Sequence, residues 1–232
     1  MKIAVCIPIR PSLHPTLKRR CTELALILPD HNPTHEFSFF FDYRKIEPLD
    51  TDTRAWSKVA RIRNAMLGSI RAEYFDFLLW IDADVTHYSP DMPTRLLGAN
   101  PTGISAPLVL VEGSDTQYDW AGFILHGRSH IEPDNALEIP GRNLSGKFPY
   151  WPADAVPAEH VVPMDVVGTI TLVPSSVYAT GVCYEDHPSM TDHFPVCARA
   201  REMGLPVVVH RDVVAYHGYL PTYGEGWHKH KE

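Results

Sequence analysis

Cysteine is scarce in this chain and shows none of the spacings that hold a zinc ion. The four cysteines (Cys6, Cys21, Cys183 and Cys197) form no Cys-x-x-Cys pair. Unpaired spacing of this kind is typical of proteins in a reducing compartment, where thiols stay reduced. The pattern therefore argues against a zinc-stabilised fold and predicts buried thiols.

Long apolar runs and an excess of positive charge are also missing. The apolar run at residues 3–9 holds a cysteine and a proline and is too short for a signal peptide or a membrane span. No other segment approaches a span. The formal net charge of −7 argues against a surface that binds nucleic acid over its whole extent. These absences predict a cytoplasmic protein with no membrane span.

A length of 232 residues and an apolar content of 44% fit one α/β domain. Apolar and helical periodicities alternate along the chain. They predict strands at residues 2–9, 35–43, 75–81, 102–111, 165–173 and 205–210, and helices at 17–28, 53–71 and 90–97. Pro107 is expected to interrupt the fourth strand. A last helix, capped by Thr191 or Asp192, should run to Met203 and be closed by Gly204.

The middle third of the chain has weak periodicity. Residues 112–163 are rich in Gly, Pro, Asp and Asn. We interpret them as loops and short strands, the latter at 118–126 and 135–140, that form the variable, substrate-facing part of the domain.

One apolar strand leads directly into two carboxylates. The five apolar residues at 77–81 are followed by Asp82 and Asp84. A run of that length is typical of a strand buried on both faces, and open α/β folds bind ligands at such strand ends. Paired carboxylates are costly unless a positive group lies between them. The pattern predicts a divalent cation with a phosphorylated ligand, although two solvated aspartates ending a strand would give the same sequence.

Several separated segments resemble nucleotide-sugar glycosyltransferases of the GT-A fold. They are the opening strand at 3–10, residues 60–65 (Ala-Arg-Ile-Arg-Asn-Ala), residues 80–84 (Trp-Ile-Asp-Ala-Asp) and the block 166–219. That block is similar to the C-terminal half of fungal Golgi mannan-polymerase-type α-mannosyltransferases, and residues 118–120 (Tyr-Asp-Trp) resemble a Tyr-Asp element of those enzymes. The fungal proteins carry a membrane anchor, for which this sequence has no counterpart.

The resemblance implies one Rossmann-like α/β domain over residues 1–232 with a mixed, mainly parallel sheet flanked by helices. Residues 1–100 would form the nucleotide-binding half. Residues 101–232 would form the acceptor-binding half, with a metal-binding tail. The implied activity moves a sugar, a hexose or a pentose, from a nucleoside-diphosphate sugar to an acceptor hydroxyl. The mannosyltransferase likeness favours retention of configuration.

The resemblance also implies a metal site. It assigns Asp84 to the metal, Asp82 to ribose or to the metal, and His217, after the last core strand, to the metal as well. A histidine nitrogen beside carboxylates favours Mn²⁺ over Mg²⁺. A hydrogen-bonded structural histidine is the alternative for His217.

The nucleotide would lie beside the loop after the first strand. Pro8 and Arg10 are in that loop, and Asp42 ends the second strand, where it could accept hydrogen bonds from uracil or guanine. Arg61 and Asn64, on one face of a helix, could reach the phosphates or the Asp82 loop. A salt-bridging surface arginine is the alternative for Arg61. Further cofactor contacts are expected from Lys229, or its neighbour Lys231, closing over the diphosphate. A solvated terminus is the alternative for both lysines.

Asp192 is the candidate catalytic carboxylate, together with Asp82. In an inverting enzyme Asp192 would be the general base. In a retaining enzyme it would bind the acceptor or the sugar and stabilise an oxocarbenium-like transition state. A helix cap without catalytic function is the alternative. Asp165 and the pair at 185–186 could take the catalytic role instead.

Three other functions fit parts of the pattern. Residues 81–86 match the nucleophile motif of haloacid-dehalogenase-type phosphatases, which normally lies on the first strand. A nucleotidyltransferase would share the metal but needs a glycine-rich loop after the first strand. A carbohydrate-binding module could use Trp120, Tyr150 and Trp151 to stack on sugar rings. That interpretation leaves the buried strand that ends in two aspartates unexplained. The donor sugar is open, and so is the acceptor, whether glycan, protein, small molecule or modified nucleic-acid base.

Overall fold

The computed structural model describes residues 1–9, 13–43, 55–118, 124–125, 151–152, 159–185 and 192–218. The strands there are β1 (Lys2–Pro8), β2 (Glu36–Asp42), β3 (Phe77–Ile81), β4 (Val85–Tyr88), β5 (Ile104–Val111), β6 (Thr116–Gln117), β7 (Ile124–Leu125), β8 (Trp151–Pro152), β9 (Val161–Val166), β10 (Ile170–Pro174) and β11 (Val207–His217). The helices are α1 (Pro15–Leu26), α2 (Leu28–His31), α3 (Ala55–Ser69), α4 (Met92–Ala99), α5 (Ser175–Tyr178) and α6 (Phe194–Glu202), with a 3₁₀ turn at Ala72–Tyr74.

The strands form a mixed sheet in the order β2-β1-β3-β10-β5-β11-β9-β7. Its two longest ladders, β1 with β2 and β5 with β11, are parallel, as is β1 with β3. Strand β10 lies antiparallel between β3 and β5. Strand β4 pairs antiparallel with the end of β11. The prediction of a mixed, mainly parallel sheet flanked by helices is confirmed.

Helices cover both faces of the sheet, which explains why its central strands are mostly apolar. Along β1, Ala4 and Cys6 belong to one core cluster, whereas Val5 and Ile7 belong to the other. The first cluster includes side chains of α3, α5 and α6, and the second those of α1, α2 and α4. All five residues of β3 are buried. Polar side chains therefore follow the strand instead of interrupting it, at Asp82 and Asp84, the two aspartates of an Asp-x-Asp motif.

Two predicted strands are wrong in extent, and a third is not interrupted where it was expected to be. Strand β5 continues through Pro107, which pairs with His210 beside a β-bulge of β11. A bulge tolerates the missing amide of a proline. The same bulge lets β11 run past His210 to His217. Residues 165–173 form two strands rather than one, because Thr169 (φ 50°) adopts the left-handed backbone conformation and turns the chain.

Two helix boundaries also differ from the sequence prediction. Helix α1 ends at Leu26 and a separate short helix, α2, follows it. The residue in the cap position of α6 is His193, whose side chain makes no capping hydrogen bond, so the helix begins one residue later than a cap at Asp192 predicts. The predicted closure of α6 by Gly204 (φ 74°) is confirmed.

Other predictions meet the structure only in part. Strand β4 was not predicted, because four residues of mixed polarity carry little periodic signal. Thr191 and the strand expected at 135–140 lie outside the described residues. Of the segment 118–126, only Tyr118 and residues 124–125 are described, and the latter form β7. Among the described helices, none has both the length and the hydrophobicity that crossing a bilayer requires.

Candidate active site

The second aspartate of the motif contacts the histidine that ends β11. Asp84 follows β3, and its backbone carbonyl accepts a hydrogen bond from the amide of Gly218 (2.8 Å). This pairing extends the β4–β11 ladder, in which His217 lies opposite Val85. As a result, Asp84 Oδ1 and His217 Nε2 are 2.9 Å apart, and both side chains are buried. The structure thus joins two of the predicted metal ligands, which are 133 residues apart in the sequence, since 217 − 84 = 133.

The donor atoms of this pair suit a hard divalent cation. His217 Nδ1 lies 3.0 Å from the carbonyl oxygen of Gly218, which can only accept, so Nδ1 carries the proton. In neutral His217 the Nε2 lone pair then faces Asp84 Oδ1, and two acceptors in contact require a shared cation or a proton. Neighbouring ligands of an octahedral ion with bonds of about 2.1 Å lie about 3.0 Å apart. The observed separation of 2.9 Å matches that value.

No third protein ligand completes this pair within the described part of the chain. There, no group of three or more His, Cys, Asp or Glu side chains is arranged to hold a metal. The remaining ligands of a bound cation would be phosphate oxygens and water, as is usual for Mg²⁺-type sites. The residues present fit a cation held by Asp84, His217 and a phosphorylated ligand.

The first aspartate of the motif is held by a buried arginine. Arg63 of α3 donates from Nη2 to Asp82 Oδ1 (2.6 Å) and from Nη1 to Asp192 Oδ2. Asp192 lies just before α6. The side chains of Arg63 and Asp192 are 2% and 5% exposed, whereas that of Asp82 is 27% exposed. The structure therefore brings together both predicted catalytic carboxylates, joined by a cation that the sequence analysis did not assign.

The charges of these residues act on one another. Burial raises the pKa of the Asp82 carboxyl, the guanidinium of Arg63 opposes that rise, and the carboxylates of Asp84 and Asp192 add to it. Burial would lower the pKa of Arg63, but the carboxylates of Asp192 and Asp82 outweigh it, so that pKa is raised and the guanidinium stays charged. The Asp84–His217 pair and the cluster of Arg63, Asp82 and Asp192 (the Arg63 cluster) therefore form one electrostatic site.

The predicted nucleotide-binding residues lie at the ends of β1 and β2. Pro8 pairs with Asp42 in the parallel ladder, and the amide of Ile9 donates to the carbonyl oxygen of Asp42 (2.8 Å). The Asp42 residue is buried. Both polar atoms of the Asn64 amide bind the main chain of Tyr184, at 2.7 and 2.8 Å, so Asn64 holds that segment in place.

The other predicted residues are described only in part. Arg61 is half-buried on α3, two positions before Arg63. Arg10, Lys229, Lys231, Trp120 and Tyr150 lie outside the described residues, and Trp151 is described only as part of β8. Asp165 is buried, and its carboxylate lies beside the guanidinium of Arg201 (3.9 Å).

Sequence reasoning missed two contributors to the site and assigned no role to a third. Arg63 lies three and seven residues before Met66 and Ile70, on the buried stripe of α3, and a charge on an apolar face was the available signal. Gly218 is closely packed, since a Cβ there would lie 3.1 Å from the Asp84 carbonyl oxygen, tighter than ordinary van der Waals contact. Tyr118, noted only for the Tyr-Asp resemblance, stacks its ring on His217 with centroids 3.5 Å apart, a contact that its place in the sequence does not predict.

Comparisons with known proteins place this geometry in a known architecture. Over 98% of its length the chain superimposes on 44% of GalNAc-T7, a structure with UDP, GalNAc and Mn²⁺, with a TM-score of 0.53 and 13% identity. The chain has the GT-A fold. A second match is Staphylococcus aureus TarS (residues 1–349), with a TM-score of 0.49 and 12% identity over 94% of this chain and 60% of that one.

At these identities the GT-A likeness shows the fold alone. The chain spans less than two thirds of the length of both proteins. No protein-family model and no curated protein sequence matches the chain. Within the GT-A fold, the Asp82–Asp84 motif follows a central strand, and the Asp84–His217 contact closes the site at the end of β11.

Proposed function

We propose that this protein is a metal-dependent glycosyltransferase that uses a nucleoside-diphosphate sugar as donor. The observation that carries the proposal is the contact between Asp84 Oδ1 and His217 Nε2, because it offers two ligands for a cation beside two further carboxylates, the partly exposed Asp82 and the buried Asp192. The GT-A fold supports it, and so does the UDP, GalNAc and Mn²⁺ bound to GalNAc-T7.

Asp84 and His217 would hold the cation, with the donor diphosphate supplying further oxygens. A bound Mn²⁺ or Mg²⁺ acts as a Lewis acid that stabilises charge on the departing diphosphate. The other residues bind and orient. Pro8 and Asp42, with Arg10 in the same loop of the sequence, would contact the base and ribose. Arg61 and Lys229 would contact phosphates.

Asp82 and Asp192 would act on the sugar side of the reaction. Asp82, partly exposed, would accept a hydrogen bond from ribose or from the donor sugar. Asp192 would bind the acceptor or the sugar. Because Arg63 already donates to one Asp192 oxygen, that carboxylate is better suited to orienting hydroxyl groups than to standing as an isolated base. This favours retention, as the resemblance to α-mannosyltransferases does.

The site combines both halves of the chain, as the proposed division requires. Asp82 and Asp84 come from residues 1–100, the proposed nucleotide-binding half, and Asp192 and His217 from residues 101–232. A phosphatase of the haloacid-dehalogenase type is not favoured, since its nucleophile motif belongs on the first strand and here it follows β3, in a GT-A fold. The sugar, and whether it is a hexose or a pentose, would be set by the middle third.

A ligand screen tests the proposal without knowledge of the acceptor. Thermal unfolding is followed with UDP and GDP, alone and as sugar conjugates, with and without Mn²⁺. A ligand that binds the folded state raises the melting temperature, and we expect stabilisation only when nucleotide and metal are present together. Release of phosphate from a simple phosphate ester, with no effect of any nucleotide, would contradict the proposal and favour the phosphatase.

A further inference from the structure

Arg63 is the one described residue that joins both candidate catalytic carboxylates. Its two terminal nitrogens bind different partners, Nη2 to Asp82 at the end of β3 and Nη1 to Asp192 before α6. These carboxylates are 110 positions apart in the sequence, since 192 − 82 = 110. The distance between one oxygen of each is therefore set by the planar fork of a single guanidinium group.

The guanidinium itself has little freedom to move. It lies over the ring of Tyr184, 5.3 Å from the centroid, and the Tyr184 main chain is fixed by Asn64 on the next position of α3. The Tyr184 hydroxyl is 2.6 Å from that of Tyr178, which accepts a hydrogen bond from Trp80 Nε1 (2.9 Å). Trp80 belongs to β3, the strand that Asp82 follows, so a continuous chain of contacts connects the guanidinium to that strand.

Stability alone is a poor explanation for such a cluster. Burying a cation with two carboxylates carries a large desolvation penalty, and apolar residues in the same volume often stabilise a fold as well or better. Arginine differs from lysine in presenting two separate N–H groups in a rigid plane, whereas lysine offers one mobile point charge. Here the two N–H groups of Arg63 bind two different carboxylates, which a single mobile ammonium group would not hold at a fixed spacing.

We propose that Arg63 is a positioning residue that sets the spacing between the donor-side carboxylate, Asp82, and the acceptor-side carboxylate, Asp192. This inference rests on the proposed function. Arg63 is not expected to touch the substrate. It acts by holding two groups that do, because a misplacement of about 1 Å at a reacting centre can cost about 100-fold in rate.

The test compares Arg63→Lys with the unaltered protein. The substitution keeps the charge, so the fold should persist, which circular dichroism and thermal unfolding verify. Hydrolysis of UDP- and GDP-sugars in Mn²⁺, in which water takes the acceptor's place beside Asp192, measures turnover without an acceptor. We expect kcat to fall about 100-fold, while the donor KM and the affinity for Mn²⁺ with UDP or GDP change by less than about 10-fold, the share of one hydrogen bond from Asp82. Arg71→Lys, at an exposed arginine just after α3, is the matched control and should change neither value.

A double-mutant comparison separates positioning from a general structural role. Asp192→Asn should lower kcat strongly in the unaltered protein but add little in the Arg63→Lys background, because residues that act as a unit are not additive. Independent effects of the two changes, or a full kcat in Arg63→Lys, would overturn the inference and leave the proposed function intact. Absence of nucleotide binding and hydrolysis in the unaltered protein would overturn both.

Discussion

Replacing Asp84 by asparagine should abolish most of the stabilisation that Mn²⁺ and a nucleoside diphosphate confer. At a free ligand concentration about 100 times the Kd, binding stabilises the folded state by about 2.7 kcal/mol. For a chain of 232 residues, that corresponds to a rise in Tm of about 5–11 °C. Loss of an indirect metal contact already costs about 10–100-fold in affinity. Loss of a direct ligand should cost at least the upper value, which leaves about 0.4 kcal/mol, or about 1–2 °C.

The same substitution should cost the protein little stability in the absence of ligand. Asp84 Oδ1 and His217 Nε2 are 2.9 Å apart, so without a metal the two groups share a proton. In the variant an asparagine amide can donate to neutral His217 Nε2 instead, so a hydrogen bond persists and the metal-free variant should lose no more than about 1 kcal/mol of stability. Loss of ligand-induced stabilisation with little loss of intrinsic stability separates a metal ligand from a residue needed for folding.

Differential scanning fluorimetry with Mn²⁺, UDP and GDP provides the assay, and EDTA reverses it. Asp30→Asn, at an exposed aspartate of α2, is the matched control and should keep the full ligand-induced shift. An Asp84→Asn variant that Mn²⁺ and nucleotide stabilise as strongly as the unaltered protein would refute the assignment of Asp84 to the metal.

Three further predictions concern neighbouring residues. His217→Ala should reduce the preference for Mn²⁺ over Mg²⁺, because an imidazole nitrogen favours Mn²⁺; an unchanged ratio of the two affinities in metal titrations would contradict this. Tyr178→Phe leaves Trp80 Nε1 and the Tyr184 hydroxyl without their shared partner and should cost about 1–3 kcal/mol in urea unfolding; no loss would contradict the hydrogen-bond chain. Burial, and then the nearby charge of Arg63, lowers the pKa of His193 in the folded protein. As the pH drops below about 6.5, the unfolded chain therefore binds the proton first and the free energy of unfolding should fall. His193→Gln should reduce the slope of unfolding free energy against pH between about pH 7 and 5, and an unchanged slope would contradict this prediction.

The apolar strand and its two aspartates could be predicted because their signal is local. Five consecutive apolar residues at 77–81 are buried on both faces, and the polar residues follow at the strand end. The approximate place of His217 was also accessible, since it follows the last apolar run. That it ends a longer β11 was not, because the bulge after His210 breaks the alternation from which strand length is judged.

The Arg63 cluster shows what sequence patterns leave out. The place of Arg63 on the apolar stripe of α3 is a local signal of burial, but its two partners, Asp82 and Asp192, are not evident from the sequence. Their pairing depends on the topology of β3 and α6 rather than on any spacing. Asp192 illustrates the same point, because its place near a helix start suggested a cap, whereas its partner is an arginine on another helix.

The central claim is that Asp84 and His217 bind a cation that holds the diphosphate of a sugar donor. The most direct measurement is an anomalous difference map at the manganese absorption edge, from crystals grown with Mn²⁺ and UDP or GDP. The account predicts one peak within bonding distance of Asp84 and His217 Nε2, with the diphosphate oxygens on the same ion. A manganese peak away from both side chains, or a nucleotide bound elsewhere on the molecule, would contradict it.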